Sequence, residues 1–414
     1  MDLKYLAILT FIVNHVVSSN ITSAGGTDEE GASAPKKRKT ETKFRYPNNK
    51  LVSALGQVGH MIVSHLPRED LRNLSKAIPV MSEYINCELN RRRRILHYRD
   101  GEITPSYLKN ALEHRKSFAG HHWTPTHAIL FGGEKPINVV AAAYCRCSVL
   151  IFTSHKDHLK IQEKIVLAND PYHPDETKGG PMNGVVIPYD LHLSSYDHHT
   201  LVNTDFHEWQ KNRMSGVNYL KILDGPVKLA IVISNDLIYT DKGAESEALD
   251  AAKDIRRRVR SAPICVVAQS DNRENAAYIN PIGTGRVLIF HGSEVNVSTL
   301  SVNTNNSEML KRKFEDWKKE LLFFNTHQVI AFHFTVVNGT EPEDSEKIFR
   351  NTFPDIPLST LRLLDESSMT GVNYEVRTEF MKFHLHVGPI YAIVGFRKFG
   401  EENPVTEDLS EEND

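Results

Sequence analysis

The sequence predicts a mixed α/β protein of the α+β class, in which a small three-helix module precedes a large mixed α/β domain. Two observations carry this prediction. Apolar residues between Leu51 and Leu89 recur every three or four positions, which is the period of an amphipathic helix. From about His127 onward, short and continuously apolar runs alternate with helical patterns, which is typical of strands and helices in one layered domain.

The composition is that of an ordinary globular protein. The chain has 414 residues, of which 40% are hydrophobic and 24% charged, with a formal net charge of −3. These values allow a large core and give no overall field that favours nucleic acid or a membrane surface. Four cysteines are too few for a disulfide scaffold, and we interpret Cys145 and Cys147, which lie in an apolar run, as reduced core residues.

Residues 1–45 and 401–414 are predicted to be disordered tails, the second of them acidic. The apolar run from Tyr5 to Val13 resembles a weak secretory leader and is too short to span a bilayer. The first tail also carries a basic patch typical of nuclear import, formed by Lys36, Lys37, Arg38 and Lys39. We favour the nucleus and cytoplasm, with a secreted protein as the open alternative.

The helical module is predicted to span residues 46–95. Its first helix has an apolar stripe made of Leu51, Leu55, Val58, Ile62 and Leu66. Pro67 ends that helix and suits the first turn of the next, in which Leu71 and Leu74 continue the stripe. A third apolar stripe after Pro79 consists of Met81, Ile85 and Leu89. Three short helices bury little area among themselves, so we expect them to need a partner surface.

The α/β domain is predicted to span residues 125–400, in two possible halves, 125–225 and 226–400. Strands at 227–234 and 263–270 flank a helix at 245–261, which predicts a parallel βαβ unit. Two further strands, "GRVLIFHG" and "SEVNVSTLSV", are expected to follow as a pair. A helix over 307–324 with inward Leu310, Phe314 and Trp317 then leads into the strand "HQVIAFHFTVV".

The motifs that resemble chemistry do not form a complete catalytic or cofactor site. The segment "NDPYHPDE" (169–176) resembles the water-activating loop of uracil-DNA glycosylases, but the second segment that such enzymes need is missing. His384 and His386 would present two rings on one face of a strand, without acidic or cysteine ligands at metal-binding spacing. Gly283 and Gly285 do not complete a phosphate-binding motif. We therefore predict a protein that is not an enzyme and has no cofactor or metal.

Residues 60–89, "HMIVSHLPREDLRNLSKAIPVMSEYINCEL", resemble an F-box, a three-helix module that docks on a Skp adaptor. The resemblance is carried by the run from Leu66 and Pro67 to Asp70 and Leu71. Met81 stands where the family usually has a tryptophan. The resemblance implies adaptor contacts from Val58, Ile62, Leu66, Pro67, Leu71, Leu74 and Met81.

The order of elements after residue 225 resembles the FIST (F-box and intracellular signal transduction) domain. The segment "DSEKIFRNTFPDIPLSTLRLLDE" is similar to one in the F-box only protein 22 family, on the residues Phe349, Phe353, Pro354, Pro357 and Leu358. That family continues with a glycine-rich turn. Here Gly371 alone is left to form the turn, after Ser367–Thr370.

Together these resemblances imply a substrate-recognition subunit of a Skp–cullin–F-box (SCF) ubiquitin ligase. The F-box would dock on the Skp adaptor and the cullin scaffold behind it, while the FIST-like domain would bind an unidentified target protein. Neither nucleic acid nor a membrane is an expected partner. The alternative is a ligand-sensing or scaffold α/β protein that no longer binds the adaptor.

Overall fold

A computed structural model describes most of the helical module and the frame of the α/β domain. The described residues are 63–77, 79–98, 125–132, 148–153, 162–163, 182–188, 191–197, 225–235, 243–259, 261–269, 286–337, 339–363, 366–374 and 383–401. Apart from Glu401, both predicted tails, with the basic patch at Lys36, Lys37, Arg38 and Lys39, lie outside these residues. So do Val58 and Ile62.

Within the described residues, the helical module starts with residues 63–65, which are helical. After the Leu66–Pro67 corner come α1 (Arg68–Ala77), a 3-10 helix (Pro79–Met81) and α2 (Ser82–Arg92). The chain then enters the strand β1 (Leu96–Tyr98), so this module leads directly into a sheet of the α/β domain.

The strands form three sheets. Sheet A has the order β1-β5-β2-β3-β4 and consists of β1, β2 (Pro125–Gly132), β3 (Ser148–Thr153), β4 (Gln162–Glu163) and β5 (Met182–Pro188). Within it, β2 runs parallel to β3, and β5 runs antiparallel to both β1 and β2.

Sheet B has the order β14-β13-β8-β7-β9-β6. Its strands are β6 (Leu193–Asp197), β7 (Val227–Asn235), β8 (Ile264–Gln269), β9 (Arg286–His291), β13 (Met369–Asn373) and β14 (His386–Val387). The strands β7 and β8 are parallel and are joined by α3 (Ala244–Arg258), as the sequence predicts.

Sheet C has the order β10-β15-β11-β12. Its strands are β10 (Val295–Ser301), β11 (His327–Val336), β12 (Leu358–Leu363) and β15 (Ile390–Arg397). The helix α4 (Ser307–Glu320) precedes β11, and α5 (Ser345–Thr352) joins β11 to the parallel β12 as a second βαβ unit.

Alternating residues along the strands divide the interior into layers. In β7, Leu229, Ile231 and Ile233 enter a core that all three sheets share, while Ala230 and Val232 face α3. In β15, Ala392 and Val394 enter the shared core, whereas Tyr391 and Ile393 face the α4–α5 layer. Because successive side chains of a strand point to opposite faces, sheets B and C each bury both faces. Helices cover the outer face of each.

The mixed α+β class predicted from the sequence is confirmed, as are the parallel β7–α3–β8 unit and the inward Leu310, Phe314 and Trp317. The two strands predicted after β8 are present as β9 and β10, with β9 in sheet B and β10 in sheet C. One expectation was wrong. Gly371 does not form a turn but lies within β13, where a Cβ atom would be 2.8 Å from Leu385 Cγ and 2.9 Å from the His386 carbonyl oxygen.

Candidate partner-binding site

The Leu66–Pro67 corner joins two helices of the segment that we expected to bind a partner. The Leu66 N–H donates to the Val63 carbonyl oxygen (3.4 Å), and the Leu71 N–H donates to that of Pro67 (3.0 Å). Proline at this position gives up no helical hydrogen bond, because the first N–H groups of a helix have no partner within it. One helix therefore ends and the next begins at this corner, as the sequence indicates.

The structure separates the expected contact residues into two groups. Leu66, Leu71 and Met81 are buried, with 4%, 0% and 3% of their surface exposed. Leu74 is half-buried and Pro67 is exposed. Leu66 lies in the corner, Leu71 in α1 and Met81 in the 3-10 helix, and α1, the 3-10 helix and α2 contact one another. In this conformation, a partner would meet Leu74 and Pro67 but not the other three side chains.

The side chain of Arg92 forms hydrogen bonds to the backbone at the Leu66–Pro67 corner. Its guanidinium donates to the carbonyl oxygens of Leu66 (2.8 Å), Val63 (2.9 Å) and Ser64 (3.2 Å). Its Nε also donates to Glu88 Oε1 at 2.7 Å, and both side chains are buried. These carbonyls belong to the C-terminal end of a helix, where orphan acceptors and the negative end of the dipole favour a cation. Arg92 therefore fixes the angle between the two helices.

The helix α2 is fastened to sheet C by its last turn. Asn90 makes a reciprocal pair with Phe399: its Nδ2 donates to the Phe399 carbonyl oxygen (3.1 Å), and the Phe399 N–H donates to its Oδ1 (2.7 Å). Arg93 donates to Glu294 Oε2 at 2.9 Å, and its guanidinium lies 4.5 Å from the centre of the Phe399 ring. With its amide oriented to satisfy both partners, Gln328 donates to the Arg93 carbonyl (3.1 Å) and accepts from the Ile95 N–H (2.7 Å).

Electrostatics stabilise the same junction. Burial raises the pKa of the Glu294 carboxyl, but Arg93 and then Arg397 outweigh burial and hold the pKa below its ordinary value of 4.5. Glu294 is thus charged near neutral pH and pairs with both arginines. Because its folded-state pKa is lowered, its contribution is present above about pH 4.5 and is lost as the pH falls through that lowered pKa.

A second group of polar side chains lies buried between sheet C and its outer helices. His333 Nε2 and Glu341 Oε2 are 3.0 Å apart, and the His333 ring stacks on Tyr391 with centroids 4.0 Å apart. Burial, reinforced by Glu341, raises the pKa of the Tyr391 phenol well above its ordinary value. Burial also raises the pKa of Glu341, but the charge and hydrogen bond of His333 outweigh it and leave the pKa lowered. This cluster fastens the segment after β11 to the sheet, and no side chain in it is open to a substrate.

The remaining candidates from the sequence do not form a site among the described residues. The rings of His384 and His386 have centroids 4.9 Å apart and both residues are exposed. No group of three or more potential metal ligands occurs within the part of the chain that the structure describes. The segment 169–176, Cys145, Cys147, Gly283 and Gly285 lie outside that part. None of the helices described is long and apolar enough to cross a membrane.

Sequence reasoning missed the role of the arginines at the C-terminal end of α2. The run "NRRRRI" indicated only a cationic helix end. The pattern carried one usable signal, since Glu88, which is buried, stands four residues before Arg92, a spacing that pairs side chains along a helix.

No protein-family model matches the chain, and no curated protein matches it significantly.

Proposed function

We propose that the chain is a non-enzymatic substrate receptor of an SCF-type ubiquitin ligase, whose helical module docks on a Skp adaptor. One observation carries the proposal: the Leu66–Pro67 corner is fixed to sheet C through Arg92, Asn90 and Arg93. A receptor of this kind works by proximity. It must hold a target at a defined place relative to the adaptor, and a stiff junction does this better than a flexible linker.

The α/β domain would hold the protein to be ubiquitinated, and the transfer chemistry would belong to other subunits. The buried side chains of the His333 cluster suit this division, because they stabilise the domain without facing solvent. The resemblance to the F-box and to the F-box only protein 22 family supports the same assignment. Nuclear and cytoplasmic localisation belongs to this proposal and follows from the basic patch and the adaptor.

Of the proposed contact residues in the described part of the chain, Leu74 and Pro67 have the most exposed surface. Aspartate in place of Leu66, Leu71 or Met81 would destabilise the folded module. Each of these side chains is buried, and a charge there would have no compensating partner. Leu74 is the better probe since it is half-buried on α1. Leu322 is a matched control because it is 70% exposed and follows α4, outside the helical module.

The test is isothermal titration of a purified Skp adaptor into the full chain, Leu74→Asp and Leu322→Asp. We expect a one-to-one complex with the wild type and with Leu322→Asp. Leu74→Asp should weaken it by at least about tenfold, the effect of losing one apolar contact at an interface centre. Unchanged thermal unfolding of both variants excludes misfolding as the cause. A folded wild type that does not bind overturns the proposal and leaves the sensor or scaffold alternative.

A further inference from the structure

An open groove runs between α4 and α5 on the outer side of sheet C. Its volume is about 730 Å³. The wall from α4 consists of Lys311, Glu315, Lys318 and Lys319, and α5 contributes Ile348, Asn351 and Thr352. Ile348 is the one aliphatic side chain among these residues and is buried within the layer beneath. The groove therefore combines an apolar floor with a charged rim.

The rim carries three lysines and one glutamate, so it favours an anionic occupant. Lys318 donates to the Thr352 carbonyl at 2.6 Å and lies 5.7 Å from the Phe353 ring centre, which holds it across the groove. Lys319 pairs with Asp316 at 2.8 Å, but both side chains remain largely exposed. Exposed ion pairs contribute at most about 1 kcal/mol each, so these contacts can be exchanged for others at little cost.

Residues 402–414 of the same chain have the complementary chemistry. They carry six carboxylate side chains and no lysine or arginine, together with two apolar residues, Val405 and Leu409. These residues lie outside the described part of the chain. An occupant with apolar and acidic residues interleaved matches an apolar floor bordered by lysines.

The chain also passes the turn after α4 shortly before residue 402. After β15, the Lys398 N–H donates to the Thr326 carbonyl (2.9 Å) and its Nζ to that of Asn325 (3.1 Å). Those carbonyls belong to the turn that directly follows α4, whose last residues include Lys318 and Lys319. Thirteen residues reach about 43 Å when extended, whereas a 14-residue helix is about 21 Å long. The tail can therefore follow the whole of α4.

We propose that residues 402–414 dock in the α4–α5 groove, with an apolar residue on Ile348 and carboxylates facing Lys311, Lys318 and Lys319. The contact is intramolecular and weak, and it depends on the tether, which supplies an effective concentration of about 1 mM. The docked tail covers the groove and competes with any acidic segment of another protein. Docking of the tail does not require the adaptor, because the residues that line the groove include none of the Leu66–Pro67 corner.

The test is a fluorescence-anisotropy titration of a labelled peptide of residues 402–414 into two proteins, the full chain and a chain that ends at Glu401. We expect the shortened chain to bind the peptide at least about threefold more tightly, since it has no tethered competitor. Raising the salt concentration from about 0.05 M to about 0.5 M should weaken binding, because the rim charges are exposed to solvent. Equal thermal unfolding of the two proteins is the folding control.

Variants of the shortened chain and of the peptide locate the contact. Lys311→Glu/Lys319→Glu should abolish peptide binding, whereas the matched pair Lys253→Glu/Arg257→Glu on α3 should leave it unchanged. A peptide with serine in place of Val405 and Leu409 should bind more weakly than the native one. Absence of binding to the shortened chain overturns the proposal. Equal binding to both proteins also overturns it, since the tail is then not the occupant, and an acidic segment of another molecule takes its place.

Discussion

Sheets B and C have the same plan and different outer layers. Each contains a parallel βαβ unit, faces the shared core on its inner side and is covered by helix on its outer side. The buried residues between sheet B and α3 are all aliphatic, and seven of them are alanines. The layer between sheet C and α4–α5 contains six buried aromatic residues instead, among them Phe314, Phe349 and Tyr391.

The difference in side-chain size explains where the candidate sites lie. Alanines let a helix approach a sheet closely, and α3 covers the middle of sheet B in this way. Large aromatic rings fill a thicker layer, and over sheet C two helices share this task, with the groove between them. The same layer also holds the His333–Glu341 pair. Among the described residues, both the groove and the buried polar cluster therefore lie on the outer side of sheet C.

The largest expected change in stability compares the aromatic layer over sheet C with the alanine-rich layer over sheet B. Phe314→Ala should lower the free energy of unfolding by about 3–5 kcal/mol, because the ring contacts Trp317, Phe349, Phe353 and Tyr391 and would leave a cavity. Ala252→Leu on α3 should cost about 1–3 kcal/mol for the opposite reason, overpacking. Urea unfolding of both variants measures these changes. If Ala252→Leu leaves stability unchanged, the α3 interface is not close-packed and the comparison fails.

The buried pair gives the next largest effect. Glu341→Gln keeps the size of the side chain but removes the charge that faces His333. We expect a loss of about 1–3 kcal/mol in unfolding free energy, the usual result of weakening a buried charged hydrogen bond. Glu343→Gln is the matched control, because Glu343 is exposed two residues away and should change stability by less than about 0.5 kcal/mol. Equal effects of the two substitutions would show that the pair does not stabilise sheet C.

The smallest expected effect is the loss of stability at acidic pH that His327 causes. Burial, followed by the charge of Arg397, lowers the pKa of His327 at the start of β11 from 6.5 to about 4. The unfolded chain therefore binds a proton that the folded chain does not, and stability falls as the pH drops from about 6.5 toward about 4. We expect His327→Gln to remove about 1 kcal/mol of this loss, after allowance for solvent screening. Thermal unfolding between these pH values measures it, and an unchanged slope in the variant would contradict the assignment.

Elements that depend on local periodicity could be predicted from the sequence, and their assembly could not. The strand β7, the helix α3 and the inward face of α4 follow from the spacing of apolar residues alone. The assignment of β9 and β10 to different sheets depends on pairing with β7 and β15, which are distant in sequence. Gly371 was wrongly expected in a turn. Glycine is favoured in turns, but it is also favoured where a neighbouring strand comes too close for a Cβ atom, which is the case here.

The candidate site was only partly predictable for a similar reason. The apolar stripe of Leu66, Leu71 and Met81 has the same spacing whether it faces a partner or the chain's own helices. Only three-dimensional contacts separate these outcomes, and they place all three side chains in the interior. The groove between α4 and α5 brings together residues about 30–40 positions apart, so no local motif marks it.

The reciprocal pair between Asn90 and Phe399 has a consequence for synthesis of the protein. These residues are 309 positions apart, so α2 cannot complete its docking until the ribosome has added Phe399. At about 5–20 residues per second, that interval is about 15–60 s. Throughout this time the nascent helices lack the surface that fixes them, and their apolar side chains are accessible to chaperones. The segment directly after β15 therefore completes the docking of a helix whose residues were made 309 positions earlier.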